Sequence, residues 1–176
     1  MCSSDLHAWE VLLVDDGSTD GSRAIEAELH AADPRFRVVQ LRRNFGKAAA
    51  MSTGFRLATG DIVVTMDADL QDDPAGIRDL IAPILDGSAD LVSGWKYPRR
   101  DPLGKRLPSK LYNTVTRVAS GVDLHDMNCG FKAYRAEVVR EVALYGEMHR
   151  YIPVMAAGAG FKVTEAKVHH RPRIHG

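Results

Sequence analysis

The sequence predicts an α/β fold of three layers, with a mainly parallel sheet held between helices. Two observations carry this. Short apolar runs rich in β-branched residues, EVLLV (10–14), RVVQL (37–41), DIVVTM (61–66) and DLVSGW (90–95), recur along the chain. Between them lie stretches with helical spacing of apolar residues, and strands that alternate with helices build βαβ units.

The elements follow in order. EVLLV ends in DDGSTDGS, a turn-and-cap sequence, so a helix is expected from Ser18–Gly21 to Asp33-Pro34, burying Ile25 and Leu29. RVVQL is the second strand. From Lys47 a helix places Ala48, Met51, Phe55 and Ala58 on one face, and Gly60 ends it. DIVVTM is the third strand. Asp73-Pro74 then opens a helix, with Asp as N-cap and Pro at the first helical position. Its stripe is Ile77, Leu80, Ile81, Ile84 and Leu85, and Pro83 predicts a kink or an early stop. DLVSGW is the fourth strand. PSKLYNTVTRVAS reads as helical, and GFKAYR and FKVTEAKVHH as strands flanking helical material around 136–158.

Composition bounds the class. A chain of 176 residues with 45% hydrophobic and 26% charged residues suits one soluble globular domain. It contains neither a membrane-length apolar run nor, in MCSSDLHAWE, the basic start and apolar centre of a secretory signal. Cys2 and Cys129 supply no disulfide framework and no metal-ligand spacing. A net charge of zero argues against nucleic acid as a partner. Charge is nevertheless segregated: Asp61–Asp90 holds eight acids against Arg78, and Lys96–Arg117 holds seven bases against Asp101. These are either two solvated faces or a cation site beside an anion site.

The acids concentrate in TMDADLQDDP (65–74), directly after an apolar strand. In extended chain, side chains at i and i+2 share a face roughly 6–7 Å apart. Asp67 and Asp69 then face one way, joined by Gln71 if the chain stays extended. Two carboxylates and an amide oxygen are hard ligands suited to Mg²⁺ or Mn²⁺. Asp72 and Asp73 satisfy a helix N-terminus. In VDDGSTDGS, Asp16 and Ser18 are candidates to cap the next helix, while Asp15 at the strand tip is placed to bind a nucleotide's base or ribose. Both acidic motifs fall at carboxyl ends of strands, where open α/β sheets bind ligands, and are expected to share one crevice. No phosphate-binding G-x-x-x-x-G-K-[ST], no G-x-G-x-x-G and no G-x-S-x-G is present. VVTMDADLQ is similar to the strand end of haloacid-dehalogenase-type phosphatases, but Gln71 stands where those carry Thr or Val. His169-His170 reads as a surface pair at a strand end.

VDDGSTDGS, RRNFGKAAAMSTGFRLATGDIVVTMDADLQDDP and DMNCGFKAYR…LYGEMHRYIP, taken together, resemble family 2 glycosyltransferases of the GT-A fold. The resemblance is greatest to the branch acting on polyprenyl phosphates, which includes dolichyl-phosphate mannose synthase. It runs over residues 9–176, expected to be a partial GT-A catalytic domain, with 1–8 unassigned. It implies inverting transfer of a sugar from a UDP- or GDP-linked donor to a polyprenyl phosphate such as undecaprenyl or dolichyl phosphate, with Mg²⁺ or Mn²⁺. Carried over, it puts Asp15, Asp16, Lys47, Asp67, Ala68 and Asp69 at the nucleotide sugar, and Asp67, Asp69 and Gln71 at the metal. Lys105, Arg106, Ser109, Lys132 and Arg150 fall to the acceptor phosphate. Asp69 and Asp126 are the catalytic candidates, with Asp126 orienting the acceptor or acting as base, or else serving a structural turn. The implied setting is the cytoplasmic face of a membrane, with association between copies as an option.

Members of the family begin with a strand ending in a Pro-x-Tyr-Asn-Glu-like motif and continue past HHRPRIHG with interfacial or membrane segments. The chain therefore reads as a fragment, expected to have an open core and unpaired backbone where that strand belongs, and able to be inactive alone. Two other readings compete: a metal-dependent phosphatase or nucleotidyl enzyme using the same carboxylates, and a noncatalytic remnant that binds nucleotide sugars.

Overall fold

The computed structural model describes residues 8–96, 122–144, 146 and 148–171. The predicted helix in PSKLYNTVTRVAS and the acceptor-site candidates Lys105, Arg106 and Ser109 lie outside them. The chain divides into two compact units, one of residues 1–60 with 143–149 and one of residues 61–142 with 150–176.

The first unit is a parallel pair of strands, β1 (Val11–Asp15) and β2 (Phe36–Gln40), joined in register from Val11 opposite Phe36 to Asp15 opposite Gln40. The connecting helix α1 (Ser22–Ala32) makes the crossover, and α2 (Lys47–Leu57) follows β2. Ala48 and Phe55 of α2 are buried as its periodicity predicts. Ile25 and Leu29 of α1 are not: they are 60% and 40% exposed. Two strands lie about 5 Å apart, whereas a helix with side chains is about 10 Å wide, so this narrow ribbon leaves much of an apolar helical face uncovered.

The second unit is a four-stranded sheet in the order β3-β5-β4-β6, made of β3 (Ile62–Thr65), β4 (Leu91–Lys96), β5 (Lys132–Arg135) and β6 (Val163–Val168). A 3-10 turn (Pro74–Gly76) leads into α3 (Ile77–Leu85). The Asp73 side chain accepts from the Ala75 N–H at 3.1 Å, the predicted cap. α3 runs through Pro83, which has no N–H to donate to the Asp79 carbonyl one turn earlier, and ends at Leu85. Leu80, Ile81 and Ile84 pack on Val92, Cys129, Phe131, Ala133 and Val168, while Leu85 at the helix end is exposed. Burying each such side chain contributes about 1.5–3 kcal/mol. Two short helices follow among the described residues, α4 (Ala136–Glu141) and α5 (Ile152–Gly158).

β4 and β6 are parallel, but β5 runs antiparallel to both its neighbours. The reason is where the chain re-enters the sheet. Lys132, the first residue of β5, pairs with Thr65 at the end of β3 and with Ser93 in β4. A strand that enters at the carboxyl ends of its neighbours must run back down the sheet. This entry sets the DMNCGF loop beside the loop that carries the acids.

Candidate functional site

In the first unit the DDGS turn is built by its own carboxylates. Asp15 is buried, and its Oδ1 accepts the Ser18 N–H at 2.7 Å while Oδ2 takes the Arg23 guanidinium at 3.2 Å. The Ser18 hydrogen bonds, with Arg23 adding, hold its carboxyl below the ordinary range. Each oxygen at the strand tip thus already has one partner within the chain.

Asp16 does not cap α1, whose N-cap is Gly21 without a side-chain bond. Its carboxylate instead accepts the N–H groups of Phe45 and Gly46, each at 2.8 Å, and so fixes the loop that opens α2. Gly17 has φ +82°, and a Cβ there would lie 2.4 Å from the Arg43 carbonyl carbon. DDGS and RRNFGK are thus two halves of one packed turn. Lys47, at the first position of α2, is exposed.

In the second unit, Asp67 and Asp69 follow β3 and are both partly buried, with Ala68 exposed between them. The chain does not remain extended: Leu70 adopts φ 62°, left-handed and uncommon for a residue of this size. Gln71 therefore leaves the i, i+2 alternation. Its amide nitrogen donates to the Arg171 carbonyl at 3.2 Å, which identifies Oε1 as the end left for an electrophile. Asp69 Oδ1 accepts the Gln71 N–H at 3.2 Å.

Asp72 is not a helix-end charge. It is buried, forms an isolated bridge with His170, and its Oδ1 lies 3.2 Å from the His170 ring. Burial pushes its carboxyl up, opposed by the His170 bond and the nearby Lys96 charge. His170 is correspondingly no surface residue, being 8% exposed, whereas His169 is exposed. Nothing local in the sequence signals this pairing, since the partners are 98 residues apart.

The loop entering β5 is held from beneath by side chains of three strands. Lys132, 3% exposed, donates its ammonium to the carbonyls of Met127 and Cys129. Ser93 reaches the Asp126 carbonyl at 3.4 Å, and Thr65 the Gly130 carbonyl at 2.8 Å. Lys132 is therefore enclosed beneath the loop, and its assignment to an acceptor phosphate does not match this placement. Asp126 is buried in the loop, and Arg150 is exposed on a 3-10 turn (Met148–Tyr151). Cys129 and Phe131 are core.

Among the described residues no three His, Cys, Asp or Glu side chains gather around one point. The donors after β3 still fit a hard divalent ion of the kind that keeps positions for phosphate oxygens: two carboxylates and an amide oxygen. The Asp67 carboxylate lies in a cradle made by Gly130, where a Cβ would fall 2.7 Å from Oδ2.

The fold and these strand-end acids define a GT-A type α/β domain. Glucosyl-3-phosphoglycerate synthase from Mycobacterium tuberculosis, solved with phosphoglyceric acid, superposes with a TM-score of 0.69 at 22% identity, over 96% of this chain and 62% of that one. The same enzyme with Mn²⁺ and UDP-glucose gives 0.66 at 23% identity, over 93% and 60%. The chain belongs to glycosyl transferase family 2, whose model matches residues 2–143. It is 41% identical to dodecaprenyl-phosphate galacturonate synthase of Rhizobium johnstonii, over 97% of this chain and 52% of the relative. It is 37% identical to undecaprenyl-phosphate 4-deoxy-4-formamido-L-arabinose transferase of Pseudomonas fluorescens, over 99% and 52%. The chain thus spans about half the length of the curated relatives it matches.

Proposed function

We propose that this chain carries the donor-site half of an inverting glycosyltransferase that moves a sugar from a nucleotide-diphosphate sugar to a polyprenyl phosphate. The observation carrying the reading is the identity to two enzymes named for polyprenyl-phosphate transfer, sustained over nearly the whole chain. The related fold solved with Mn²⁺ and UDP-glucose supports a nucleotide-sugar donor.

In this reading the DDGS turn shaped by Asp15 and Asp16, together with Lys47 and Ala68, serves the nucleotide sugar. Asp67, Asp69 and the Gln71 Oε1 hold Mg²⁺ or Mn²⁺, which when bound neutralises charge on the departing diphosphate. An oxygen of the acceptor phosphate attacks the anomeric carbon from the face opposite the diphosphate. The new C–O bond forms as the bond to the diphosphate breaks, and the electron pair leaves with the nucleoside diphosphate. The attacking oxygen is already anionic near neutral pH, so catalysis rests on position and electrostatics more than on a strong base. Asp69 and Asp126 orient the reacting groups. Lys105, Arg106, Ser109 and Arg150 serve the acceptor phosphate at the cytoplasmic membrane surface. Among the described residues no helix is long and apolar enough to cross a membrane.

The test is a thermal-shift panel of UDP, GDP and their sugar conjugates with and without Mn²⁺, on wild type, Asp67→Asn and Asp69→Asn. A Mn²⁺-dependent rise in Tm for one base, absent in both variants, is the expected result. A cooperative melt that no nucleotide shifts would overturn donor binding by this chain.

A further inference from the structure

We propose that Gly130 is a positioning residue for the Asp67 carboxylate, its bare Cα being the surface against which that carboxylate is set. The inference rests on the donor-site reading and adds a residue that touches neither metal nor substrate.

The geometry is specific. A Cβ built on Gly130 meets Asp67 Oδ2 at 2.7 Å, Cγ at 3.0 Å and Oδ1 at 3.1 Å, and these are its three nearest heavy atoms. The space a side chain at 130 would occupy is therefore the space the carboxylate holds. Gly130 does not take a positive φ, so its backbone conformation is open to any residue. What requires glycine here is the neighbour.

Gly130 is itself fixed from the same strand. Thr65, two residues before Asp67 on β3, donates its hydroxyl to the Gly130 carbonyl at 2.8 Å and lies 3.3 Å from the Tyr134 hydroxyl. Tyr134 is wholly buried, so this anchor belongs to the core. Thr65 and Asp67 both meet Gly130, the one binding its carbonyl and the other resting against its Cα. The antiparallel entry of β5 brings the loop to that place. The glycine acts as a stop: the carboxylate occupies the space beside its Cα, so residue 130 sets how closely that carboxylate approaches the loop entering β5.

The three atoms nearest an alanine Cβ at 130 all belong to the end of the Asp67 side chain, which is movable. The carboxylate rotates away while the backbone keeps its path. Gly130→Ala is thus expected to leave the metal-free Tm close to wild type and to weaken Mn²⁺ binding about 10- to 100-fold, the range for losing a group that orients a metal ligand. A merely structural glycine shows the reverse, a lowered metal-free Tm with unchanged Mn²⁺ affinity.

The experiment titrates Mn²⁺ into the full chain in the presence of UDP and, separately, GDP, following free Mn²⁺ by electron paramagnetic resonance, with metal-free melting in parallel. Wild-type affinity in Gly130→Ala overturns the inference and leaves the donor reading intact. No Mn²⁺ bound by wild type with either nucleotide overturns the donor reading and this inference with it. Should Gly130→Ala fail to fold, Thr65→Val and Thr65→Ser decide: weakened binding in Val with recovery in Ser supports the inference, and equal binding in both overturns it.

Discussion

The Asp72 carboxylate and the His170 imidazole meet at 3.2 Å in the interior, 98 residues apart in sequence. Around them the Arg171 N–H donates to the Gln71 carbonyl at 2.7 Å, and the Arg171 guanidinium reaches Asp73 at 2.8 Å. Residues 71–73 and 170–171 form a clasp that fastens the acidic loop to the chain leaving β6. His170→Ala strips a buried carboxylate of its partner and is expected to cost about 1–3 kcal/mol in urea unfolding at neutral pH. Asp72→Asn is expected to cost less, because the amide still bonds the ring and carries no charge to desolvate. Equal stability of wild type and His170→Ala would show that the Asp72–His170 pair contributes nothing.

The Asp16 carboxylate satisfies two N–H groups at the opening of α2. Asp16→Ala leaves both to water and is expected to lower stability by about 0.5–2 kcal/mol, as for loss of a helix cap. Amide hydrogen exchange gives the local reading: Phe45 and Gly46 should lose protection, while the amides of β4 should not.

Asp15 predicts a pH dependence with a definite sign. Its folded pKa lies below the ordinary 3.8, chiefly through the Ser18 hydrogen bonds. Its contribution is therefore fully present above the unfolded value and is lost as pH falls through the folded one. The stability difference between wild type and Asp15→Asn should be constant from neutral pH down to about pH 5 and shrink below that. A difference that grows on acidification would contradict the Ser18 and Arg23 contacts.

Cys129 is buried, and burial pushes its thiol up to about 11. At pH 8 roughly one molecule in a thousand then carries a thiolate there. Iodoacetamide followed by peptide mapping should leave Cys129 unmodified in the native protein and label it fully in urea. Rapid native labelling would place the thiol at the surface and break the core described around α3.

The alternation of strands and helices was legible because each element buries a face, and burial imposes a period on the sequence. The stripe Leu80, Ile81 and Ile84 and the Asp73-Pro74 start appear where the sequence places them, whereas the helix runs through Pro83 to Leu85 instead of stopping at the proline. Ile25 and Leu29 show the limit of this reasoning. The period reports an apolar face but not the width of the surface it meets, and a two-stranded ribbon leaves both exposed.

Sequence alone determined which residues carry charge and that they stand where strands end, since composition and period are local properties. It determined the acids after β3, the turn after β1 and the family to which both belong. Only the tertiary structure decided their partners: Asp16 for the α2 loop, Asp72 for His170, Lys132 for the carbonyls beneath its loop, and Gly130 for Asp67. Each of these pairings joins segments separated in the chain, through the direction of a strand or the path of a loop. The run of residues does not encode such a distance; it arises when the sheet brings β5 back between β3 and β4.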